Sequence, residues 1–122
     1  MRIIIGFLIS AAFLTTPCMA QKNSQDPCST ATSQAQLNRC WANQADKAER
    51  RLSAALDSAL AKTTVRSTAE TAQEKWKEYR DAECTAVAAL YEGGSMQPMQ
   101  HSACLVHLTN ERIAELKNIV PK

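Results

Sequence analysis

The sequence has few of the residues and motifs on which enzyme sites are built. It contains three glycines in 122 residues, and they form neither a phosphate-binding loop nor a nucleophile elbow; a zinc-protease helix motif is absent as well. The two histidines, His101 and His107, are six positions apart and therefore do not share a helix face, as a metal-binding pair would. We expect a protein without catalytic residues, metal or cofactor.

A strong charge of either sign is also missing. The chain has 14 Lys and Arg against 12 Asp and Glu, a formal net charge of +2. Proteins that bind nucleic acid or anionic membranes through charge carry a larger basic excess. The near balance therefore predicts neither partner.

The one long apolar run lies at the N-terminus. Residues 3–14 are almost wholly apolar, follow Arg2 and precede the small residue Ala20, a pattern typical of a secretory signal peptide covering residues 1–20. About twelve apolar residues are too few for a permanent membrane-spanning helix, which needs ~20. Cys18 lacks the flanking small and aliphatic residues that a lipoprotein signal requires. We expect a periplasmic or secreted protein with no membrane attachment after cleavage.

Beyond a polar segment at 21–31, which is predicted to be an exposed N-terminal arm, apolar residues recur every three or four positions, the period of helices. Ser33 and Gln36 form a capping-box pattern, and the first helix is expected to run about 29 residues from there to Lys62. Its predicted buried positions are Leu37, Trp41, Ala45, Ala48, Leu52, Leu56 and Leu60.

A second capping-box pattern, Ser67 with Glu70, predicts a second helix from Thr68 to about Tyr91. The helix should end at Gly93-Gly94, because glycine readily adopts the left-handed conformation that terminates helices. The short connection between the first two helices predicts an antiparallel hairpin.

One face of the second helix carries an apolar and aromatic stripe. Its members are Gln73, Trp76, Tyr79 or Arg80, Glu83 or Cys84, Val87, and Leu90 or Tyr91. We expect Trp76 and Tyr79 to be core residues and Arg80 to be held by a carboxylate or a helix end. Asp81 should face solvent.

A short loop at 96–99 leads to a third helix, predicted from Met99 or Gln100 to Ile119. Its expected buried residues are Ala103, Leu105 or Val106, Leu108, Ile113, Leu116, and Ile119 or Val120. No segment has the pattern of a strand. The predicted fold class is all-α, a long antiparallel helical hairpin with the third helix folded back on it in a single domain at 32–122.

Four cysteines remain once the signal peptide is removed: Cys28, Cys40, Cys84 and Cys104. None lies two to four residues from another, as zinc ligands usually do, so an even number in an exported chain predicts two disulfides. Antiparallel helices around Gly93-Gly94 would place Cys84 opposite Cys104, and the N-terminal arm is long enough to bring Cys28 to Cys40. The crossed pairings stay open, because four cysteines allow three connectivities.

The order and spacing of these residues resemble a known family. The pattern is Gln73-x-x-Trp76-x-x-Tyr79-Arg80-Asp81-x-x-Cys84, then Gly93-Gly94-Ser95, then Cys104-x4-Thr109-x-x-Arg112-x-x-x-Leu116, preceded by Cys28, Cys40 and Asp46. It is similar to the lysozyme inhibitor LprI-like domain over residues 28–116. The resemblance implies a small, exported, disulfide-bonded helical protein of bacteria whose activity is inhibition of lysozyme. The motif residues interpreted as structural are Gln73, Trp76, Tyr79, Arg80, Asp81, Thr109 and Arg112.

Two functions follow from these observations. The resemblance implies a binding protein that blocks lysozyme by protein–protein contact; the alternative is a non-catalytic module of the cell envelope that binds another exported protein through the first helix. The candidate contact residues lie in the loop after the second helix: Glu92, Gly93, Gly94, Ser95 and Gln97. The two glycines could equally serve only to cap the helix and turn the chain. The sequence does not predict the oligomeric state.

The chain departs from the family in the first helix. Family members carry Asn and then Tyr shortly after a leucine, where this chain has Ser53 and Leu56. If those polar and aromatic side chains belong to the inhibitory surface, the substitutions predict loss of inhibition.

Overall fold

A computed structural model describes residues 26–121 as three helices and a terminal turn. The helices are α1 (Gln34–Leu60), α2 (Arg66–Ala89) and α3 (Gln97–Glu115), and a 3-10 turn covers Leu116–Ile119. Residues 26–121 contain no strand, and none of their helices is long and apolar enough to cross a membrane. The predicted signal peptide at 1–20 lies outside the described residues.

The start of α1 is capped by side chains on both sides of the helix end. The hydroxyl of Ser33 accepts a hydrogen bond from the backbone N–H of Gln36 at 3.3 Å, as predicted. The side chain of Gln36 accepts in return from the backbone N–H of Thr32 at 2.7 Å. The reciprocal bond of the capping box is thus made one residue earlier than in the usual motif.

The predicted cap of α2 is wrong. Ser67 lies inside the first turn, because the helix begins at Arg66 and Val65 occupies the cap position without a side-chain hydrogen bond. The carboxylate of Glu70 accepts from the guanidinium of Arg66 at 3.0 Å. Glu70 therefore forms an ion pair within the first turn instead of capping the backbone.

The connection between α2 and α3 lies about two residues earlier in the chain than predicted. α2 ends at Ala89, and α3 begins at Gln97, two or three residues before its predicted start. Pro98 is tolerated there because the first turn of a helix does not use the missing N–H. Gly93 has a φ of 75°, the left-handed conformation expected of it.

The third helix packs against both of the others. It runs antiparallel to α2 and parallel to α1, since Gln34 of α1 contacts Met99 near the start of α3 and Arg51 bonds to Asn110 further along. Most contacts between helices involve α3. The predicted antiparallel hairpin with a third helix folded back on it is confirmed.

The hydrophobic core lies at the end of the molecule where α1 stops and the 3-10 turn begins, here called the core end. Leu52, Ala59 and Leu116 are buried at its centre. Partly buried residues packed around them are Ala55, Leu56, Trp76, Ile113, Ile119 and Val120. Leu56, one of the two departures from the family pattern, therefore contributes to the core.

The opposite end, where α1 and α3 begin and α2 stops, is here called the loop end, and it is held by two disulfides. Cys28 bonds to Cys40 with a Cα–Cα distance of 5.8 Å, and Cys84 bonds to Cys104 with a Cα–Cα distance of 5.5 Å. Both preferred pairings are confirmed, so the crossed connectivities are excluded. At the loop end the disulfides hold the helices together, whereas at the core end large apolar side chains do so.

Candidate functional site

The loop joining α2 to α3 exposes three large apolar side chains. Leu90 is 83% exposed, Met96 40% and Tyr91 37%. Leu90 or Tyr91 was expected to continue the apolar stripe of α2 toward the other helices. That prediction is wrong because the helix ends at Ala89, and the turns that follow direct the next side chains away from α1 and α3.

The exposed loop is fixed at several points. Its base is cross-linked by the Cys84–Cys104 bond, and the side-chain amide of Asn38 in α1 donates to the carbonyl of Ser95 at 3.1 Å. Within the loop, the N–H of Gly94 donates to the carbonyl of Tyr91 at 3.0 Å. A Cβ at Gly94 would lie 3.2 Å from that same carbonyl oxygen. The loop is therefore an ordered protrusion with little room for change in its turn.

A groove of about 630 Å³ runs between α2 and α3 directly beside the loop. It is lined by Thr85, Ala88, Ala89, Glu92, Gln97, Pro98, His101 and Ser102. Two of the predicted contact residues, Glu92 and Gln97, thus lie in the groove, and the other three form the adjacent turn. The alanines and Pro98 were missed by the sequence analysis, because small residues on a helix give no signal of an open surface until the neighbouring helix is placed.

The part of the loop end formed by α2, the loop and α3 has almost no charged side chains. Between Thr85 and Val106 the only Asp, Glu, Lys or Arg is Glu92. Glu92 takes part in none of the ion pairs formed within residues 26–121. The centres of protein–protein interfaces are depleted in charge and enriched in tyrosine and methionine. The composition of this end is therefore typical of a protein-binding surface.

Arg80 connects all three helices at a second, buried site. Its guanidinium donates to the carboxylate of Glu49 in α1 at 2.6 Å, to the hydroxyl of Thr109 in α3 at 3.3 Å and to the neighbouring Asp81 at 2.9 Å. Burial alone would lower the pKa of Arg80, but the hydrogen bonds to the two carboxylates raise it above its usual value. The prediction that a carboxylate holds Arg80 is confirmed.

Trp76 lies against this network. Its ring centre is 5.1 Å from the guanidinium carbon of Arg80 and 5.7 Å from that of Arg112, distances that allow cation–π attraction. The Nε of Arg112 donates to the side-chain oxygen of Gln73 at 2.9 Å. Trp76 also packs against the core cluster, in agreement with its predicted place in the core.

Tyr79 is not a core residue, contrary to prediction. It is 55% exposed, because Trp76 and Arg80 take the face of α2 that meets the other helices. Asp81 has a side chain that is 60% exposed, as expected of a residue facing solvent. Six of the seven motif residues, all but Tyr79, therefore belong to one cross-linking network away from the loop.

The side chains at this site are suited to binding another molecule and not to catalysis. Within the part of the chain that the structure describes, no group of three His, Cys, Asp or Glu side chains is placed to hold a metal ion. His101 lines the groove, whereas His107 lies 3.3 Å from Glu111 on the exposed side of α3. Apolar side chains, hydrogen-bonding groups and one carboxylate suit the recognition of another molecule.

Comparison with known proteins agrees with this geometry. Residues 24–116 match the family model described as lysozyme inhibitor LprI, a span that includes both disulfides and all three helices. A protein of Rhizobium meliloti (strain 1021), described as uncharacterized, is 35% identical over 121 residues that cover 84% of this chain and 87% of the relative. No solved structure matches. The chain belongs to the lysozyme inhibitor LprI family.

Proposed function

We propose that the protein is exported and blocks lysozyme by placing its loop end against the substrate cleft. Lysozyme cleaves a glycosidic bond between two carboxyl groups that flank it in a cleft. An inhibitor therefore needs no chemistry of its own, only a surface that excludes the glycan. The family description supports lysozyme as the partner.

The observation that carries the proposal is the exposure of Leu90 on an ordered loop. An 83% exposed leucine leaves almost its whole apolar surface available to a partner, and burying such a side chain contributes about 1.5–3 kcal/mol. The disulfide and the Asn38 bond already fix the loop. Little further ordering entropy would be lost on binding.

The loop at the other end of the molecule is a poorer candidate. The connection between α1 and α2 exposes one large apolar side chain, Val65, at 53%. It is flanked by Lys62 and Arg66, and no disulfide within residues 26–121 cross-links its base. The comparison makes Val65 a suitable control for Leu90.

Inhibition of lysozyme with a soluble chitooligosaccharide substrate tests the proposal. We expect the mature protein to inhibit competitively, so that inhibition declines as substrate is raised. Leu90→Ala should weaken inhibition roughly tenfold, the equivalent of about 1.4 kcal/mol. Val65→Ala, a matched truncation of an exposed apolar side chain, should inhibit like the unchanged protein.

Two results would count against the proposal. Equal inhibition by the Leu90 and Val65 variants would remove the loop end from the contact. Absence of inhibition by the unchanged protein, together with failure to co-elute with lysozyme, would favour the alternative of an envelope module with another exported partner.

A further inference from the structure

The groove beside the loop has a defined polarity along its length. Because α2 and α3 run antiparallel, Glu92 and Gln97 face each other next to the loop, and Thr85 and Ser102 lie at the far end. From Thr85 to the end of α2 at Ala89 there are four residues of helix, about 6 Å at 1.5 Å per residue, and Glu92 follows in the turn. The groove therefore has a carboxylate at one end and hydroxyl groups at the other.

Beside Glu92 and Gln97 the groove is lined by small apolar residues, and His101 lies further along its α3 side. The apolar residues are Ala88, Ala89 and Pro98, and their side chains offer no hydrogen bond. A ligand that fits must therefore combine an aliphatic stretch with a polar head. Arginine and lysine have this form, since their methylene stems cover apolar surface while the charged head stays at a polar edge.

The end of the groove next to the loop carries a negative charge. The end of α2 and the start of α3 carry partial charges of about half a unit, of opposite sign. Because these two helix ends adjoin each other, their fields largely cancel. Apart from His101, Glu92 is the only lining residue with an ionisable side chain. It forms no ion pair within residues 26–121, so its full charge decides the sign. Charge complementarity favours a cationic group here.

We propose that the groove receives a basic side chain of the partner, with its stem along Ala88, Ala89 and Pro98 and its charged head on the carboxylate of Glu92. The inference deepens the proposed function and rests on it for the identity of the partner. The basic side chain would be an arginine or lysine on the surface of lysozyme that lies beside the loop. Arginine is the charged residue enriched at interfaces, and its planar head matches a carboxylate.

The groove can be tested without lysozyme. The probe is the peptide acetyl-Gly-Arg-Gly-amide, and its control is the same peptide with citrulline, which keeps the shape of arginine without the charge. Added at millimolar concentration to the ¹⁵N-labelled mature protein, the arginine peptide should shift the amide signals of Ala88, Ala89 and Gln97 in a saturable way. The citrulline peptide should bind about fivefold more weakly. Equal binding of the two peptides, or no saturable shift, would overturn the inference.

Two pairs of variants locate the contact. Glu92→Gln should weaken binding of the arginine peptide about fivefold, whereas Glu83→Gln, which changes an exposed carboxylate on α2 outside the groove, should not change it. Ala89→Leu should fill the groove and abolish the shifts, whereas Ala86→Leu, an exposed neighbour that does not line it, should leave them unchanged. Binding that survives both Glu92→Gln and Ala89→Leu would contradict the proposal.

The same variants separate this inference from the proposed function. Lysozyme inhibition that is weakened by Leu90→Ala and unaffected by Glu92→Gln and Ala89→Leu would support the loop and overturn the groove. Peptide binding that depends on Glu92 in a protein that does not inhibit lysozyme would support a groove for basic side chains and overturn lysozyme as the partner.

Discussion

The two ends of the molecule are built differently. At the core end, Leu52 and Leu116 are buried within a cluster of apolar side chains, and the adjoining sequence carries charged residues such as Lys62 and Lys117. At the loop end the buried residues are Cys28, Cys84 and Ala88, while large apolar side chains are exposed. Disulfides allow a small domain to remain folded where it lacks a core, so the loop end can expose its apolar residues. Stability is therefore expected to depend on the core end, and the proposed recognition on the loop end.

The largest expected effect is loss of stability at the core end. Leu52 is 2% exposed, and Leu52→Ala should lower the free energy of unfolding by about 3.5 kcal/mol because it leaves a cavity. Urea denaturation followed by circular dichroism measures it. Leu90→Ala, the same truncation at the loop end, should change stability by less than about 0.5 kcal/mol. A comparable loss in both variants would remove the distinction between the ends.

Removal of the Cys84–Cys104 bond should affect both properties. The bond closes a segment with a sequence separation of 20, and a loop of this size contributes about 3 kcal/mol through the unfolded state. Cys84→Ala with Cys104→Ala should therefore lower the melting temperature. It should also speed hydrogen exchange at Gly94 beyond what the loss of stability explains. Unchanged exchange at Gly94 would show that the loop is held without its cross-link.

The smallest effect is expected at Asp81. Its exposed carboxylate bonds to Arg80, but Glu49 and Thr109 also hold that guanidinium. Asp81→Ala should cost less than about 1 kcal/mol in unfolding free energy, the usual worth of an exposed ion pair. A larger loss in urea denaturation would mean that Asp81, and not Glu49, is the main partner of Arg80.

The sequence predicted the helices and the disulfides well because these depend on local spacing. Helical periodicity and the position of Gly93-Gly94 were enough to set Cys84 opposite Cys104. The cap of α2 was predicted wrongly because Ser67 and Glu70 have the right spacing for a capping box and Arg66 competes for the same carboxylate. Sequence spacing alone does not show whether the carboxylate of Glu70 binds the helix backbone or the guanidinium of Arg66.

The candidate site was only partly predictable. Glu92 and Gln97 were identified because they flank the glycines, but Leu90 or Tyr91 was placed on the apolar stripe of α2. Helical periodicity is reliable only while the helix continues, and one turn decides whether Leu90 is buried or exposed. The prediction that Tyr79 is a core residue was wrong for a related reason. Trp76 and Arg80, on either side of it in the stripe, both point toward the other helices.

The parallel course of α1 and α3 has a practical consequence for the protein's two termini. The Cys28–Cys40 bond holds the start of the described chain beside α1, and Asn38 ties that part of α1 to the loop. Pro121 follows the 3-10 turn at the other end. An affinity tag or fluorescent label fused ahead of Cys28 would therefore crowd the surface that a partner is expected to use, whereas a fusion after Pro121 would leave that surface open.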